Sequence, residues 1–362
     1  MKVKIFGAGS IGNHLANASR RLLWEVDVFD IDNKALFRMK EEIYPSRYGK
    51  WDQSINLLEE NISKKVYDLI IVGTPPDTHI KVACSAIDEK PRAILIEKPL
   101  TKPDLLGIED LVQKANHNNV RLFIGYDHVL GKAAEHLSSL INEKSFGKVK
   151  TIDVNFREYW GGIFAAHPWL AGPSDSYLGF WDRGGGACGE HSHGINLWQY
   201  ISHLSGNGRI EFVSSFIDYE KNNKTNYDSI ALLNVKTENG LIGRIVQDVV
   251  TNPPIKSAHL ICENGSLNWI SSVKEGQDSV ETLTNDGLLD ETKFVKNRPE
   301  DFILELSHIE KVLRLNISSP IDIERGIETM LVISAAHLSA KEKKVVKICY
   351  EKGNNLNALE CL

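Results

Sequence analysis

The chain opens with a short apolar strand that runs straight into glycines: Met1-Lys-Val-Lys-Ile-Phe6, then Gly7-Ala-Gly9-Ser10-Ile11-Gly12. No other stretch constrains the fold as tightly. A glycine at 7 permits a tight turn from strand into helix, one at 9 removes the side chain that would block an approaching anion, and one at 12 lets the helix pack close to the sheet. The helix starting here offers free backbone N–H groups and a positive dipole end, which suits a pyrophosphate. Taken alone, the spacing also fits an ordinary glycine-rich turn.

The residues that follow favour the pyrophosphate. Residues 13–23 continue as a helix whose apolar face holds Leu15, Ala16, Ala18 and Leu22, and Glu25-Val-Asp-Val-Phe29 reads as a second strand ending in Asp30. An acidic residue about 20 positions beyond the glycines stands where an adenosine ribose presents its hydroxyls. A carboxylate accepts hydrogen bonds from a 2′-OH and repels a 2′-phosphate, so the expected cofactor is NAD rather than NADP. Asp32 is the rival acid, but it precedes a helical run over 33–43 and reads as its N-cap. The order of strand, glycines, helix, strand and acid is read as a dinucleotide site contacted by Gly7, Gly9, Ser10, Ile11, Gly12 and Asp30.

The 362 residues have length for about two domains, and the 42% hydrophobic and 25% charged content is that of an ordinary globular chain. The formal charge is −6 and no basic run marks a nucleic-acid or membrane partner. Five cysteines without a CxxC pair fit reduced thiols in a cytoplasm. No segment has the length of a membrane span, and the N-terminus enters a strand with no signal-like stretch before it.

Strand and helix alternate through the first part. The apolar run 67–72 ends at Gly73-Thr74-Pro75-Pro76-Asp-Thr-His79, Ala93–Ile96 ends at Glu97-Lys98-Pro99, a helix covers 104–116, and 120–125 is a further strand. This alternation predicts a doubly wound parallel sheet of Rossmann type over residues 1–126, with ligands beyond the carboxyl ends of its strands. From 127 to 362 the pattern changes to an α+β domain. It has a helix over 133–143, a strand over 147–159, a glycine- and aromatic-rich loop over 160–186, and a helix over 188–204. Strands over 210–217, 229–235, 241–249 and 257–262 follow, joined by hairpin turns at Asn239-Gly240 and Asn264-Gly265, and predict a largely antiparallel open sheet. Helices over 299–315 and 321–342 and a strand over 345–350 complete the chain.

Three clusters could carry chemistry. Lys98 follows a buried strand on the ligand side of the first sheet, where its ammonium could stabilise a developing alkoxide, although most lysines at strand ends are simply surface residues. In Gly184-Gly-Gly-Ala-Cys-Gly-Glu190-His191-Ser-His193, the acid and second histidine stand three apart on one helical face. Glu190 could therefore orient His193 as a general base, with Asn196 on the same face toward a substrate hydroxyl. A capped helix start with locally satisfied histidines, or a metal held by Cys188, Glu190, His191 and His193, are the rival readings. Tetrahedral sites usually draw ligands from separated segments, so no metal is expected. The aromatic loop suits a sugar or polyol ring as well as it suits core packing, with His167, Trp169, Tyr177 and Arg183 as substrate contacts.

Together these pieces resemble the Gfo/Idh/MocA family, the glucose–fructose oxidoreductase and inositol dehydrogenase group. The resemblance spans nearly the whole chain. It rests on the glycine loop, on Thr74-Pro75-Pro76-x-x-His79, on Glu97-Lys98-Pro99, and on the triple glycine followed by an acid and a histidine. It adds Thr74, Pro75, His79, Glu97 and Lys98 to the cofactor contacts and implies that Lys98, Glu190 and His193 are catalytic. Two departures stand out: the acid is glutamate where the family usually has aspartate, and the histidine follows it by three positions where many members have four. The activity implied is hydride transfer between NAD and a secondary alcohol of a sugar, cyclitol or nucleotide-sugar derivative. An NAD-recycling glycosidase or eliminase and a non-catalytic cofactor-binding regulator are the alternatives. A cytoplasmic homodimer or homotetramer is expected, with no nucleic-acid or membrane partner.

Overall fold

Short apolar runs separated by amphipathic helices build, in chain order, β1 (Lys2–Phe6), α1 (Ser10–Arg21), β2 (Glu25–Phe29), α2 (Asn33–Arg38), α3 (Tyr44–Tyr48), β3 (Ile55–Leu58), β4 (Leu69–Val72), α4 (Pro76–Ile87), β5 (Ala93–Ile96), α5 (Ile108–His117) and β6 (Arg121–Ile124). The structure is a computed structural model and describes residues 1–61, 66–165, 167–274, 276–297 and 299–362. The six strands make one sheet in the order β3-β2-β1-β4-β5-β6, parallel throughout. Strand order reverses between β1 and β4, the switch point at which such sheets take ligands. Every residue of β4 and β5 is fully buried, which is why these runs are apolar without alternation. The expected five strands are present, and β3 adds an edge that the sequence reading did not include.

This sheet also buries charge. Lys4 in β1 is 0% exposed, and its Nζ donates to Glu89 at 2.7 Å and to Asn61 at 2.5 Å. In β2, Asp27 accepts from the Tyr67 hydroxyl at 2.6 Å. Burial followed by this bond pushes Tyr67 well above the ordinary phenol range.

The chain continues with α6 (Lys132–Glu143), β7 (Val149–Arg157), α7 (Gly161–Ala165), α8 (Gly186–Glu190), α9 (His193–Leu204), β8 (Ile210–Lys221), β9 (Asn226–Thr237), β10 (Ile242–Asp248), β11 (Ile255–Cys262), β12 (Gly265–Lys274), β13 (Gln277–Thr284), β14 (Leu289–Val295), α10 (Glu300–Leu315), α11 (Ile323–Glu342), β15 (Val346–Ile348) and β16 (Leu359–Cys361). Ten of these strands form a second sheet, β14-β13-β12-β11-β7-β10-β9-β8-β15-β16. It is antiparallel except where β7 runs alongside β10. Helix α9 lies on one face: Trp198 is fully buried and donates from Nε1 to Ile152 O at 3.0 Å, over Gly243, where a Cβ would stand 2.9 Å from that nitrogen. The other face carries register rows such as Phe212–Lys236–Ile242–Thr151–Ile261 and Phe216–Leu232–Val246–Asn155–Ser257.

The chain divides into two units. The first comprises Met1–Thr101, Gly107–Asp127 and Asn297–Ile323; the second comprises Lys102–Leu106, His128–Lys296 and Glu324–Leu362. Helix α10 thus joins the parallel sheet. It covers α1, with the His14 ring stacked on Phe302 at 5.1 Å, and the segment after it is tied to β6 by the paired Arg121–Asp322 hydrogen bonds of 3.0 and 2.9 Å. Among the described residues no helix is long and apolar enough to cross a membrane.

Candidate active site

In the first unit the glycine loop is a set of close backbone approaches around one open position. Gly7 has φ +104°, and a Cβ on it would lie 2.6 Å from Gly73 O. A Cβ on Gly12 would lie 2.0 Å from Gly7 O, so α1 starts pressed against the loop. Gly9 is different: a Cβ there would meet nothing within 4 Å. Nor does any side chain cap α1, and Gly9 is its N-cap. The glycine at 9 is therefore not required by the protein's own packing but suits a group approaching the helix end.

Asp30 closes the loop from the end of β2. Its Oδ2 accepts from Ala8 N at 2.8 Å and its Oδ1 from Asp32 N at 2.9 Å, leaving further lone pairs on each oxygen for a diol. Asp32 accepts from Lys34 N and caps α2, as its position suggests. These features fit a dinucleotide held by Gly7, Gly9, Ser10, Ile11, Gly12 and Asp30. Ile11 packs toward Gly73, its Cγ2 standing 3.1 Å from where a Cβ on that glycine would be. Sequence reasoning did not find Arg47, whose guanidinium donates to Ser10 O at 3.0 Å and to Ser10 Oγ at 2.8 Å. It comes from α3, and no local pattern links it to the loop.

The buried His79 ring stands between the loops after β4 and β5. The residue is 0% exposed, with Nε2 2.6 Å from Thr74 O and Nδ1 3.0 Å from Pro99 O. Burial pushes its pKa down to about 4 against the pull of both carbonyls, so the ring is neutral at neutral pH and donates to one of them. His79, expected at the cofactor, lies between the two loops that carry Thr74, Pro75 and Lys98. Pro75 is the N-cap of α4, and Thr74 Oγ1 accepts from Thr78 Oγ1 at 2.7 Å. Glu97 is buried beside Gly125, where a Cβ would stand 2.9 Å from both carboxylate oxygens. Burial, followed by the charge of Glu97, pushes the pKa of the neighbouring Glu305 of α10 well above the usual carboxylate range. Lys98 is half-buried immediately after it.

In the second unit, the single helix expected over 188–204 is two helices. Glu190 ends α8 and His193 begins α9. The break lies at His191, whose carbonyl accepts from the buried Gln247 side chain and from Gly194 N at 2.8 Å. His193 has a neighbour that the sequence reading passed over, His128, with ring centroids 3.9 Å apart; Phe156 lies 6.3 Å away on a near-parallel plane. His128 stands just beyond the carboxyl end of β6, the position at which parallel sheets place ligand-binding residues, and that rule is the signal that could have found it.

The expected substrate contacts divide. Asn196 is 3% exposed and donates to Thr329 Oγ1 at 3.3 Å, joining α9 to α11. Tyr177 packs against the buried cluster of Trp160, Leu178, Ala187 and Val249. His167 donates from Nδ1 to Ile163 O at 2.6 Å and meets Trp169 edge to face at 5.1 Å. Arg183 lies over the Phe180 ring at 5.6 Å. His167, Trp169 and Arg183 keep partly exposed surfaces.

The glycine loop, its acid and the parallel order of the first sheet define a dinucleotide-binding Rossmann unit. Residues 1–126 match the Gfo/Idh/MocA model, an oxidoreductase family with an NAD-binding Rossmann fold. No curated protein sequence matches the chain. Among solved structures, levoglucosan dehydrogenase in complex with NADH and levoglucosan superposes with a TM-score of 0.76 at 15% identity, covering 96% of this chain and 98% of that one. The WlbA dehydrogenase of Bordetella pertussis, in complex with NADH and UDP-GlcNAcA, gives 0.71 at 18% identity over 96% and 98%. A putative myo-inositol dehydrogenase from Sinorhizobium meliloti gives 0.73 at 17% over 96% and 99%. At these identities the likeness shows a shared two-domain fold.

Proposed function

We propose that the chain is an NAD-dependent dehydrogenase acting on a secondary alcohol of a sugar, cyclitol or sugar derivative. The observation that carries the reading is the glycine loop: packing demands glycine at 7 and 12, nothing in the protein demands it at 9, and Asp30 waits beside it with spare acceptor capacity. The solved relatives named above include proteins bound to NADH together with a sugar or nucleotide sugar, which supports this substrate class.

In this reading Lys98, Glu190 and His193 act on one substrate hydroxyl. His193 takes its proton as general base. Glu190, on the preceding helix, orients the imidazole. The Lys98 ammonium stabilises the negative charge that develops on the oxygen. The nicotinamide, when bound, supplies the acceptor for the carbon-bound hydride. His167, Trp169 and Arg183 offer an aromatic and cationic surface for the rest of the substrate. All five cysteines are free thiols, which supports a cytoplasmic setting. The exposed face of the second sheet supports self-association.

A thermal-shift screen of sugars, cyclitols and nucleotide sugars with NAD present identifies the substrate, since a ligand of the folded state raises the melting temperature. With that substrate, Lys98→Ala is expected to lower kcat by about 100-fold or more, in line with removing one charge-stabilising donor, while the NAD-dependent thermal shift persists. Turnover retained in this variant overturns the assignment.

A further inference from the structure

A buried side-chain cluster in the second unit lies outside the proposed chemistry. Cys188 of α8, Asp228 of β9 and His337 of α11 offer a sulfur, a carboxylate oxygen and an imidazole nitrogen, all within 4.8 Å of one another. The first two residues are 0% exposed and His337 is 6% exposed. Asp228 is fixed in place: its Oδ2 accepts from Cys188 N at 2.6 Å, and Gly186 makes room for it, since a Cβ there would fall 1.7 Å from Oδ1. Asp228 Oδ1, beside Gly186, is buried with no hydrogen-bond partner among the described residues, while the Cys188 thiol bonds the same carboxylate. The Tyr219 hydroxyl lies 2.7 Å from His337 Nδ1, and the Trp181 ring stacks on His337 at 4.5 Å. A buried carboxylate oxygen without a hydrogen bond of its own is a costly feature.

We propose that Cys188, Asp228 and His337 form a site for a divalent transition metal, zinc first among them. Thiolate, carboxylate and imidazole are each donors that zinc takes, the three come from separated segments, and the fourth tetrahedral position falls to water. Donors around a tetrahedral zinc lie roughly 3.4–3.6 Å apart at ordinary bond lengths, inside the 4.8 Å limit within which these atoms stand. Charge closes as well. A dication with one thiolate, one carboxylate and one neutral imidazole is neutral overall, the arrangement a buried site tolerates. On binding, the Cys188 thiol loses its proton to solvent, and so does Asp228 where it is protonated; its pKa is pushed up to about 7, chiefly by burial. His337, driven down to about 3 by burial, is already neutral. The metal would fasten α8 to β9 and α11, fixing the turn that leads from Glu190 to His193. The donors stand so far apart in sequence that no spacing motif announces them; the metal reading weighed from the sequence used Cys188 with its near neighbours instead.

The test uses the full chain, stripped with a chelator, exposed to Zn(II), desalted and assayed for metal. About one equivalent of zinc per chain is expected, with binding strengthening as pH rises because protons are released. Cys188→Ser and His337→Gln, each checked for folding by circular dichroism, are expected to lose it. Cobalt(II) added to the stripped wild-type chain is expected to give a near-ultraviolet thiolate-to-metal absorption band, which decides the matter even if both variants unfold. A wild-type chain that retains no zinc, cobalt bound without that band, or folded variants that keep the full equivalent would each overturn the proposal and leave the cluster a buried hydrogen-bond network.

Discussion

Glycines 9 and 12 look equivalent in the sequence but do different work in the fold. Gly12 is demanded by backbone packing, because a methyl group there would press into Gly7 O. Gly9 has open space around its missing Cβ and an ordinary negative φ of −75°, so alanine is accommodated without strain. Gly12→Ala is therefore expected to destabilise the chain by about 1–3 kcal/mol or more. Gly9→Ala should leave the melting temperature without ligand nearly unchanged and abolish the shift produced by NAD. Thermal melts of both variants, with and without NAD, check this; a Gly9→Ala chain that binds NAD as the parent does would show that the open space is not the cofactor's. At this scale the site was partly legible. The glycines, Asp30 and the capping role of Asp32 could be read because their roles depend on neighbours a few positions away. Arg47 at Ser10, Asn196 at Thr329 and His337 at Cys188 and Asp228 could not, since each contact joins segments that only the fold brings together.

Elements were legible in proportion to how much of their pattern is dictated by burial. The buried runs of β4 and β5 stand out because two covered faces force continuous apolar residues. Strands β12, β13 and β14 went unread: β14 has no fully buried residue, so a polar edge strand leaves no alternation to detect. The break between α8 and α9 was invisible for another reason, since a side chain from β10 captures the His191 carbonyl. The buried, neutral His79 between the loops after β4 and β5 has a pH signature. Its folded-state pKa of about 4 lies below the ordinary 6.5, so between these values the unfolded chain binds more protons and stability is lost as pH falls. The contribution is roughly 3 kcal/mol between pH 7 and pH 4. His337 acts in the same direction and Asp228 in the opposite one, so the group is isolated by difference. Denaturant unfolding of His79→Gln is expected to give lower stability at pH 7 and a shallower loss toward pH 4 than the parent. Equal slopes would mean that His79 is not the buried neutral group described here.

On the scale of the whole molecule, the second sheet has more surface than its helices cover. On the face opposite α9, Phe216 is 75% exposed, Ile242 58%, Leu232 43% and Ile261 41%. Their register places them in rows across five neighbouring strands, from β8 through β9, β10 and β7 to β11. A depression of about 440 Å³ sits in the same face, between Phe212, Lys236, Ile242 and Arg244. Scattered exposed apolar residues are ordinary, but rows of them on one sheet face suit a surface for another protein. Arg244 paired with Asp153 at 2.9 Å, and Lys236 beside Phe212, supply the polar component that keeps such a face soluble before it is covered. A second copy of the chain is the occupant expected, since closed two-fold homo-oligomers are the commonest assemblies. Light scattering on the purified chain is expected to show a dimer or tetramer, and Phe216→Glu combined with Ile242→Glu should shift it to monomer. Both side chains project from the outer face and carry little of the core, so circular dichroism should show the fold intact. A wild-type chain that is a stable monomer at micromolar concentration, or a double variant that keeps the parent's mass, would remove the sheet face from the assembly.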